Sequence, residues 1–370
     1  MQGPTTTDVG MNRWLINDEV IRLRVWASER SQPMPASLGG EWIIGSGPTS
    51  WLRLEDERRR VSRKHASLSR EDGKWILRDA GSKNGIIVEG MRRNEVALEP
   101  GVEIWVGGVT LIAESSRLAA LRVFLGRILG WTSDQVRTVD LALRSIRSAA
   151  IRQVAIALCG DGDLVLIARA LHRHTLGADR PFILCDPRRR SAEETVRGAE
   201  NHQRGMEALR AANRGSLCIW NERLPRDFAD VRIALQDPDT RVQLIVCGRQ
   251  STDAFGVVPI TIPPLRRRAS ELSQIVGEYA KDAAIELGLP DTPFAQSDRD
   301  WVMRHAAGTL AEIEKTTQRL LAIRETGGNL NAAAAVLRMA RWSLAKWVSR
   351  RGLPDGLRGR MEPRRGNEGR

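Results

Sequence analysis

Three short segments in the first hundred residues carry residue types suited to binding a phosphate group. In chain order they contain Gly45 and Ser46, then Ser62, Arg63 and His65, then Lys83, Asn84 and Gly85. Ser62 offers a hydroxyl, while Arg63 and Lys83 offer charge-assisted hydrogen-bond donors. Asn84 can hold a peptide backbone with both groups of its amide. The chemistry that these residues indicate is recognition of a phosphorylated peptide.

The segments lie between short apolar runs that read as β-strands. Over residues 14–114 these runs are Val20–Trp26, Trp42–Gly45, Ala66–Ser69, Lys74–Arg78, Gly85–Val88, Val102–Val106 and Val109–Ala113. Turn residues separate them at the spacing of an all-β sandwich. Such a scaffold can present phosphate-binding loops at one end. Gly45 and Gly85 are expected to permit turns at positive φ.

This region resembles the FHA family, whose pattern places G-R, S-x-x-H and N-G at the same spacing. The resemblance implies that Ser62 contacts the phosphate and Asn84 the peptide backbone, while His65 orients the Ser62 loop. Ser46 departs from the pattern because the family has an arginine there. Its loss should weaken peptide binding unless Arg53 or Arg63 substitutes. The alternative is an FHA fold that binds only an unmodified protein surface.

The segment from Gly327 to Val348 predicts two helices joined by a short turn. Asn329 is a plausible N-cap for the first, and the second carries Arg341, Lys346, Arg350 and Arg351. This is the pattern of a helix-turn-helix that places its second helix in the DNA major groove. A helical hairpin that only dimerises is the alternative.

The same segment resembles the Fis-type domain of sigma-54 activators. By that resemblance, DNA bases or phosphates are contacted by Arg341, Trp342, Ser343 and Lys346. Arg338 stands where the family has a turn glycine, so it is expected to adopt a positive φ at a cost of about 1 kcal/mol.

Residues 150–262 alternate between apolar runs and helical patterns, which predicts a parallel sheet covered on both faces. Fragments such as Ala168–His172 and Ile262–Arg268 resemble the AAA+ module of sigma-54 activators, the bacterial enhancer-binding regulators. The resemblance puts Leu164 at the P-loop lysine and Trp220 in the magnesium-binding segment. No lysine occurs between Lys83 and Lys281, and a P-loop needs one. We therefore expect a scaffold without ATP hydrolysis, and not an enzyme.

The composition supports an anionic partner. The net charge is +12, and residues 326–370 hold ten Lys and Arg against three Asp and Glu. The alternative for the overall excess of positive charge is a GC-rich genome that favours arginine codons.

No apolar window reaches membrane-spanning length and no signal peptide is evident, so we expect a cytoplasmic protein that does not contact membranes. The spacing of the cysteines fits no metal site, and they are expected to be buried small hydrophobes: Cys159, Cys185, Cys218 and Cys247.

These features predict a multidomain chain. Its segments are an all-β FHA sandwich (12–116), a linker helix (117–134), a degenerate α/β AAA+-like domain (135–262), a helical lid (263–325), an α-helical Fis-type helix-turn-helix (326–354) and a disordered basic tail (355–370). The predicted function is a phospho-responsive transcriptional regulator that binds DNA and a phosphorylated protein, without a cofactor or metal, as at least a homodimer. The alternatives are a phosphopeptide-binding adaptor without DNA binding and a sigma-54 activator that still binds nucleotide.

Overall fold

The computed structural model describes residues 19–37, 39–160, 163–189, 199–237, 239–249, 257–289, 293–354 and 357. The predicted disordered tail, apart from Leu357, lies outside the described residues. The chain divides into two compact units, Met1–Cys159 with Ile167–Thr261, and Gly160–Leu166 with Ile262–Arg370. None of the described helices is both long and apolar enough to cross a membrane.

The N-terminal part of the first unit is a β-sandwich, as the sequence predicts. Its strands are β1 (Val20–Val25), β2 (Ser31–Pro33), β3 (Trp42–Gly45), β4 (Leu52–Arg53), β5 (Ala66–Glu71), β6 (Lys74–Asp79), β7 (Ile86–Val88), β8 (Met91–Arg93), β9 (Glu95–Ala97), β10 (Glu103–Val106) and β11 (Val109–Ser115). One sheet has the order β2-β1-β11-β10-β7-β8, and the other has the order β4-β3-β5-β6-β9.

The β5–β6 hairpin shows how the sequence sets the sandwich register. Asp72 and Gly73 form its two-residue turn, and both have positive φ, 46° and 78°, as a tight hairpin turn requires. Leu68 pairs with Leu77, and both side chains are fully buried in the core. A slip of one residue would turn these leucines to solvent, so the burial pattern fixes the pairing.

A pair of helices follows the sandwich in place of the single linker helix predicted over 117–134. Helix α1 (Ser116–Leu129) begins at the Ser115 cap, and α2 (Ser133–Arg152) runs eighteen residues beyond the predicted end. The chain breaks between them at Gly130, whose φ of 130° is one that side-chain-bearing residues rarely adopt.

A buried ion network ties α2 to the sandwich. Arg24 is 1% exposed and donates to Glu114 at 2.6 Å and to the two carboxylate oxygens of Asp140 at 2.5 and 2.9 Å. Glu114 also accepts from Arg22 at 2.7 Å. Burial on its own lowers the pKa of Arg24, but the bonds to Asp140 and Glu114 outweigh it and raise that pKa. The network therefore holds Arg24, Glu114 and Asp140 away from water, while the Arg22 side chain stays 29% exposed.

The rest of the first unit contains a parallel sheet, as predicted, with helices between its strands. Its elements are β12 (Ile156–Gly160), α3 (Leu164–Thr175), β13 (Phe182–Cys185), β14 (Glu200–His202), α4 (Gly205–Ala211), β15 (Ser216–Trp220), α5 (Phe228–Leu235), β16 (Gln243–Gly248) and β17 (Ile260–Ile262). The strand order is β14-β13-β15-β16-β12-β17.

The edge strand β14 and the cysteines of this sheet can be compared with the sequence analysis. The residues before β15 have a helical pattern, but Glu200–His202 pair with β13 as an edge strand and α4 begins only at Gly205. The edge pairing is a tertiary contact that a helical residue pattern does not reveal. The four cysteines are buried and free, as expected.

The second unit is helical. Its helices are α6 (Leu272–Glu286), α7 (Gln296–His305), α8 (Leu310–Glu325), α9 (Leu330–Val336) and α10 (Arg341–Arg351). Arg324 of α8 makes a bidentate bond with the fully buried Asp298 of α7, at 2.6 and 2.7 Å. Arg351 of α10 bonds Glu312 of α8 at 3.0 Å. These charged pairs fix α8 against its two neighbours.

Candidate functional site

The loops after β3 and before β5 run side by side at one end of the sandwich. The amide of Ser46 donates to the carbonyl of Ser62 at 3.0 Å, and that of Gly47 donates to Arg63 at 3.1 Å. A Cβ on Gly45 would lie 2.2 Å from the Arg63 carbonyl oxygen. Gly45 is therefore required by close backbone approach, and the positive φ expected for it is not observed.

His65 anchors the Ser62 loop from inside the sandwich. Its ring is fully buried; Nδ1 accepts from the Ser62 amide at 3.0 Å, and Nε2 lies 3.0 Å from the Gly85 carbonyl oxygen. Because Nδ1 accepts a hydrogen bond, the proton must lie on Nε2, which then donates to Gly85. Gly85 itself has a φ of 71°. One buried imidazole thus joins the two loops that carry Ser62 and Asn84.

The polar side chains of these two loops meet at the surface. The Ser62 hydroxyl oxygen accepts from the Lys83 amide at 3.2 Å, and the Asn84 amide nitrogen donates to the Arg60 carbonyl at 2.7 Å. Within the described part of the chain, the Ser62 hydroxyl proton and the Asn84 carbonyl oxygen have no partner. One free donor and one free acceptor therefore remain to meet a ligand.

Positive charge surrounds this pair of loops. Arg63 and Lys83 are exposed, as are Arg58, Arg59 and Lys64. Over the described ranges, no carboxylate pairs with any of these five side chains. A cluster of unpaired cations on a rigid end of a sandwich produces a field that attracts an anion. Charge and hydrogen-bond geometry therefore point to the same kind of ligand.

Asp56 holds the arginine-rich turn in place. Its carboxylate accepts from the Arg60 amide at 2.7 Å and from the Arg60 side chain at 3.3 Å. Desolvation on its own raises the pKa of Asp56, but the hydrogen bonds from Arg60 outweigh it and the pKa is lowered. Arg59 takes a φ of 51° within the turn, a conformation unusual for a residue with a side chain.

Ser46, which stands where the family pattern has an arginine, stabilises the loop that precedes β5. Its hydroxyl donates to the Val61 carbonyl at 3.0 Å, so it points along the loop backbone. The side chain of Arg53, which the sequence analysis considered as a substitute for that arginine, is exposed at the end of β4.

The sequence analysis missed Arg92 of β8, whose Nε lies 2.3 Å from where a Gly85 Cβ would be. The register of the β7–β8 hairpin, which pairs Ile87 with Arg92, brings it there, and the sequence analysis did not predict β8.

The predicted C-terminal contact residues all lie on α10. Arg341, Trp342 and Lys346 are exposed and Ser343 is half-buried. The Lys346 ammonium lies 5.7 Å from the Trp342 ring centroid. Asn329 caps α9 through bonds from the Asn331 and Ala332 amides, and Arg338 in the connecting turn has a φ of 50°.

The carboxyl edge of the parallel sheet is occupied by internal bonds. Glu222, which follows β15, accepts from the Arg249 amide at 2.7 Å. Asp186, which follows β13, accepts from Arg223 at 3.1 Å. Among the described residues, no group of three or more His, Cys, Asp or Glu could hold a metal ion.

Comparison with known proteins identifies the sandwich. The family model described as "FHA domain" matches residues 42–107. Residues 42–107 form an FHA domain. The Oxoglutarate dehydrogenase inhibitor of Corynebacterium diphtheriae is 38% identical over 68 residues, which are 18% of this chain and 46% of that protein. This chain thus spans about half the length of that relative.

Solved FHA structures cover a similar part of the chain. One, described as "Structural and functional analysis of phosphothreonine-dependent FHA domain interactions", is 28% identical, covers 25% of this chain and 93% of its own, and has a TM-score of 0.23. Another is Mycobacterium tuberculosis EmbR in complex with a low affinity phosphopeptide. It is 27% identical, covers 26% of this chain and 24% of its own, and has a TM-score of 0.23.

Proposed function

We propose that this chain binds phosphothreonine-containing proteins through its FHA domain and binds DNA through α9 and α10. The observation that carries the first part is the placement of Ser62. Its hydroxyl oxygen accepts from the Lys83 amide, and its proton is free to be donated to a phosphate oxygen. The unpaired guanidinium of Arg63 belongs to the same loop and supplies the countercharge.

The free carbonyl oxygen of Asn84 supports recognition of a peptide rather than of phosphate alone. Its amide nitrogen is held by the Arg60 carbonyl, which fixes the orientation of the side chain. The oxygen can then accept from a backbone N–H of the peptide next to the phosphothreonine. Because Ser46 carries no charge, the domain binds more weakly than one with an arginine there, and Arg63 and Lys83 provide most of the charge contact.

DNA binding is supported by the form and charge of the last two helices. Asn329 caps the start of α9, and the left-handed Arg338 lies in the tight turn between α9 and α10. Arg341 and Lys346 are exposed on α10 and have no acidic partner in the part of the chain that the structure describes. Proteins of this kind commonly bind as dimers to two-fold symmetric sites, and the proposal includes a dimer.

The proposal assigns the middle sheet a scaffold role without ATP hydrolysis. A P-loop lysine is lacking between residues 84 and 280, and Leu164 is fully buried. Glu222 accepts a bond from the Arg249 amide, and among the described residues it belongs to no group of three or more His, Cys, Asp or Glu that could hold a metal ion. Transcriptional regulation by phosphorylation of the partner follows if peptide docking alters DNA occupancy.

The experiment uses the full-length chain and a fluorescent peptide library with one fixed phosphothreonine, compared with the same library carrying threonine. We expect binding only to the phosphorylated library. Ser62→Ala should weaken it by about tenfold to a hundredfold, since a hydrogen bond to a charged group contributes about 1.5–3 kcal/mol. Ser37→Ala, an exposed serine in another loop, is the matched control and should bind normally.

Equal binding of the two libraries by the wild-type chain would contradict phosphothreonine recognition. DNA binding is tested separately, by titrating a labelled mixed-sequence duplex at low salt. A chain that binds the phosphopeptide but ignores the duplex would instead be a signalling adaptor.

A further inference from the structure

A basic groove separates α8 from α10 in the second unit. It has a volume of about 350 Å³ and is open to solvent. Its cationic lining residues are Arg319 from α8 and Lys346, Arg350 and Arg351 from α10. Trp342 and Trp347 supply its aromatic surface. The groove is therefore lined by α10, which is predicted to contact DNA, and by α8, which lies outside the predicted helix-turn-helix.

The four cations are only partly neutralised. Arg351 bonds Glu312 at 3.0 Å, whereas Arg319 and Arg350 have no carboxylate partner among the residues that the structure describes. The Arg319 guanidinium lies 5.1 Å from the Trp347 ring centroid. Burial and the nearby charge of Arg351 both lower the pKa of Arg319. Holding like charges together in this way is unfavourable until an anion enters between them.

Packing keeps the groove in place. Trp347 stands edge-on to Trp301 of α7, with ring centroids 6.1 Å apart, and Trp301 is itself buried and stacked on His305. Arg351 also donates to the His305 carbonyl at 3.2 Å. The guanidinium of Arg319 therefore rests on a ring that the helical unit fixes, so that its orientation is set before a ligand arrives.

The aromatic lining distinguishes the ligand from a simple anion. Trp342 is 66% exposed at the start of α10, although large apolar side chains are usually covered. A phosphate held between arginines, with an exposed apolar ring beside it, matches the backbone of DNA, in which charged phosphates alternate with uncharged sugars. A carboxylate or sulfate would use only the cations.

We propose that this groove binds a backbone phosphate of duplex DNA, with Arg319 and Arg350 as its ligands and Trp342 beside the adjoining sugar. The inference rests on the DNA binding proposed above. It extends the contact surface from α10 to α8, onto a residue that the two-helix pattern does not include. A free nucleotide offers the same chemistry, so the test separates the two sources.

The test measures anisotropy of a labelled mixed-sequence duplex with the full-length chain over a salt series. Each phosphate contact contributes about −0.9 to the slope of log K against log salt. Arg319→Gln and Arg350→Gln should each reduce the slope by up to about one unit, because they share one phosphate, and a full unit corresponds to roughly eightfold weaker binding near 0.1 M salt. Arg319→Lys keeps the charge and should retain most of the slope.

Arg232→Gln on α5 is the matched control, because Arg232 is exposed and lies in the other unit. It should leave the slope unchanged. Circular dichroism melting of every variant shows whether the fold is intact, and Arg350→Gln, at an exposed position, remains informative if Arg319→Gln unfolds.

Three results would overturn the inference in distinguishable ways. If the wild-type chain ignores the duplex at low salt, the proposed DNA binding fails and this inference fails with it. If the wild type binds and both glutamine variants keep its slope, DNA binding stands and the groove is not part of it. If AMP binds the wild type and Arg319→Gln abolishes only AMP binding, the groove is a nucleotide site.

Discussion

The ion network between the sandwich and α2 makes a quantitative prediction for Asp140→Asn. Asparagine keeps the size of the side chain and an acceptor for the Ala27 amide, which donates to Asp140 at 2.7 Å. It removes the charge that faces Arg24, leaving Glu114 to balance both Arg22 and Arg24. Removing one partner of a buried ion pair costs about 3–5 kcal/mol, and the loss here lies at the lower end because Arg24 keeps its bond to Glu114.

The change should be visible in urea unfolding of the full-length chain followed by far-ultraviolet circular dichroism. With a slope near 3 kcal/mol per M, a loss of about 3 kcal/mol moves the midpoint of the first unit down by about 1 M. Asp134→Asn, an exposed acid in the first turn of the same helix, loses only a favourable interaction with the helix dipole, at most about 1 kcal/mol.

A second variant separates charge imbalance from loss of packing. Replacing both partners, as Arg24→Met with Asp140→Leu, removes the buried charges in pairs and leaves Arg22 with Glu114. It should be more stable than Asp140→Asn alone, because apolar replacements for a buried ion pair are often neutral or stabilising. If Asp140→Asn shifts the midpoint no further than Asp134→Asn does, the network does not contribute to stability as argued.

Two further predictions concern the FHA domain. Gly45→Ala should abolish phosphopeptide binding or reduce it by more than tenfold in the peptide assay, because the new Cβ would lie 2.2 Å from a backbone oxygen; Gly39→Ala, with nothing within 4 Å, should bind as the wild type does. Bonds from Arg78 and Ser69 lower the pKa of Glu71 from 4.5 to about 2. The stability contributed by Glu71 is therefore complete above pH 4.5 and disappears as the pH falls towards 2. The urea midpoint of Glu71→Gln should accordingly depend less on pH than that of the wild type over this range, and equal dependence would contradict the role of Glu71.

Local patterns in the sequence predict much of the fold. The alternation in β5 and β6, with an Asp-Gly turn between them, determines both strands and their pairing. The cap at Asn329 and the break at Arg338 likewise mark helix ends without any knowledge of tertiary contacts. These features depend on neighbours in the chain, which the sequence displays directly.

Features that depend on distant residues escaped prediction. Arg24 reads as an exposed strand residue, yet it is buried because Asp140, far along the chain, meets it. Glu200–His202 become a strand only because β13 offers an edge. Gly45 is required because a Cβ there would collide with the backbone carbonyl of Arg63, and not because of its φ. Arg63 lies on another loop, so the sequence around Gly45 does not reveal this contact. Long-range contacts of this kind leave no periodic signal.

The Arg24–Asp140 bond also bears on how the protein can be cut into pieces. A polypeptide ending at residue 116 would retain the whole family motif but lose α2, so Arg24 would keep only one of its two carboxylate partners. The smallest autonomous fragment that contains the Ser62 and Asn84 loops should therefore extend to about residue 152, where α2 ends. The segment that should fold on its own is therefore longer than the segment that the family model matches, which ends at residue 107.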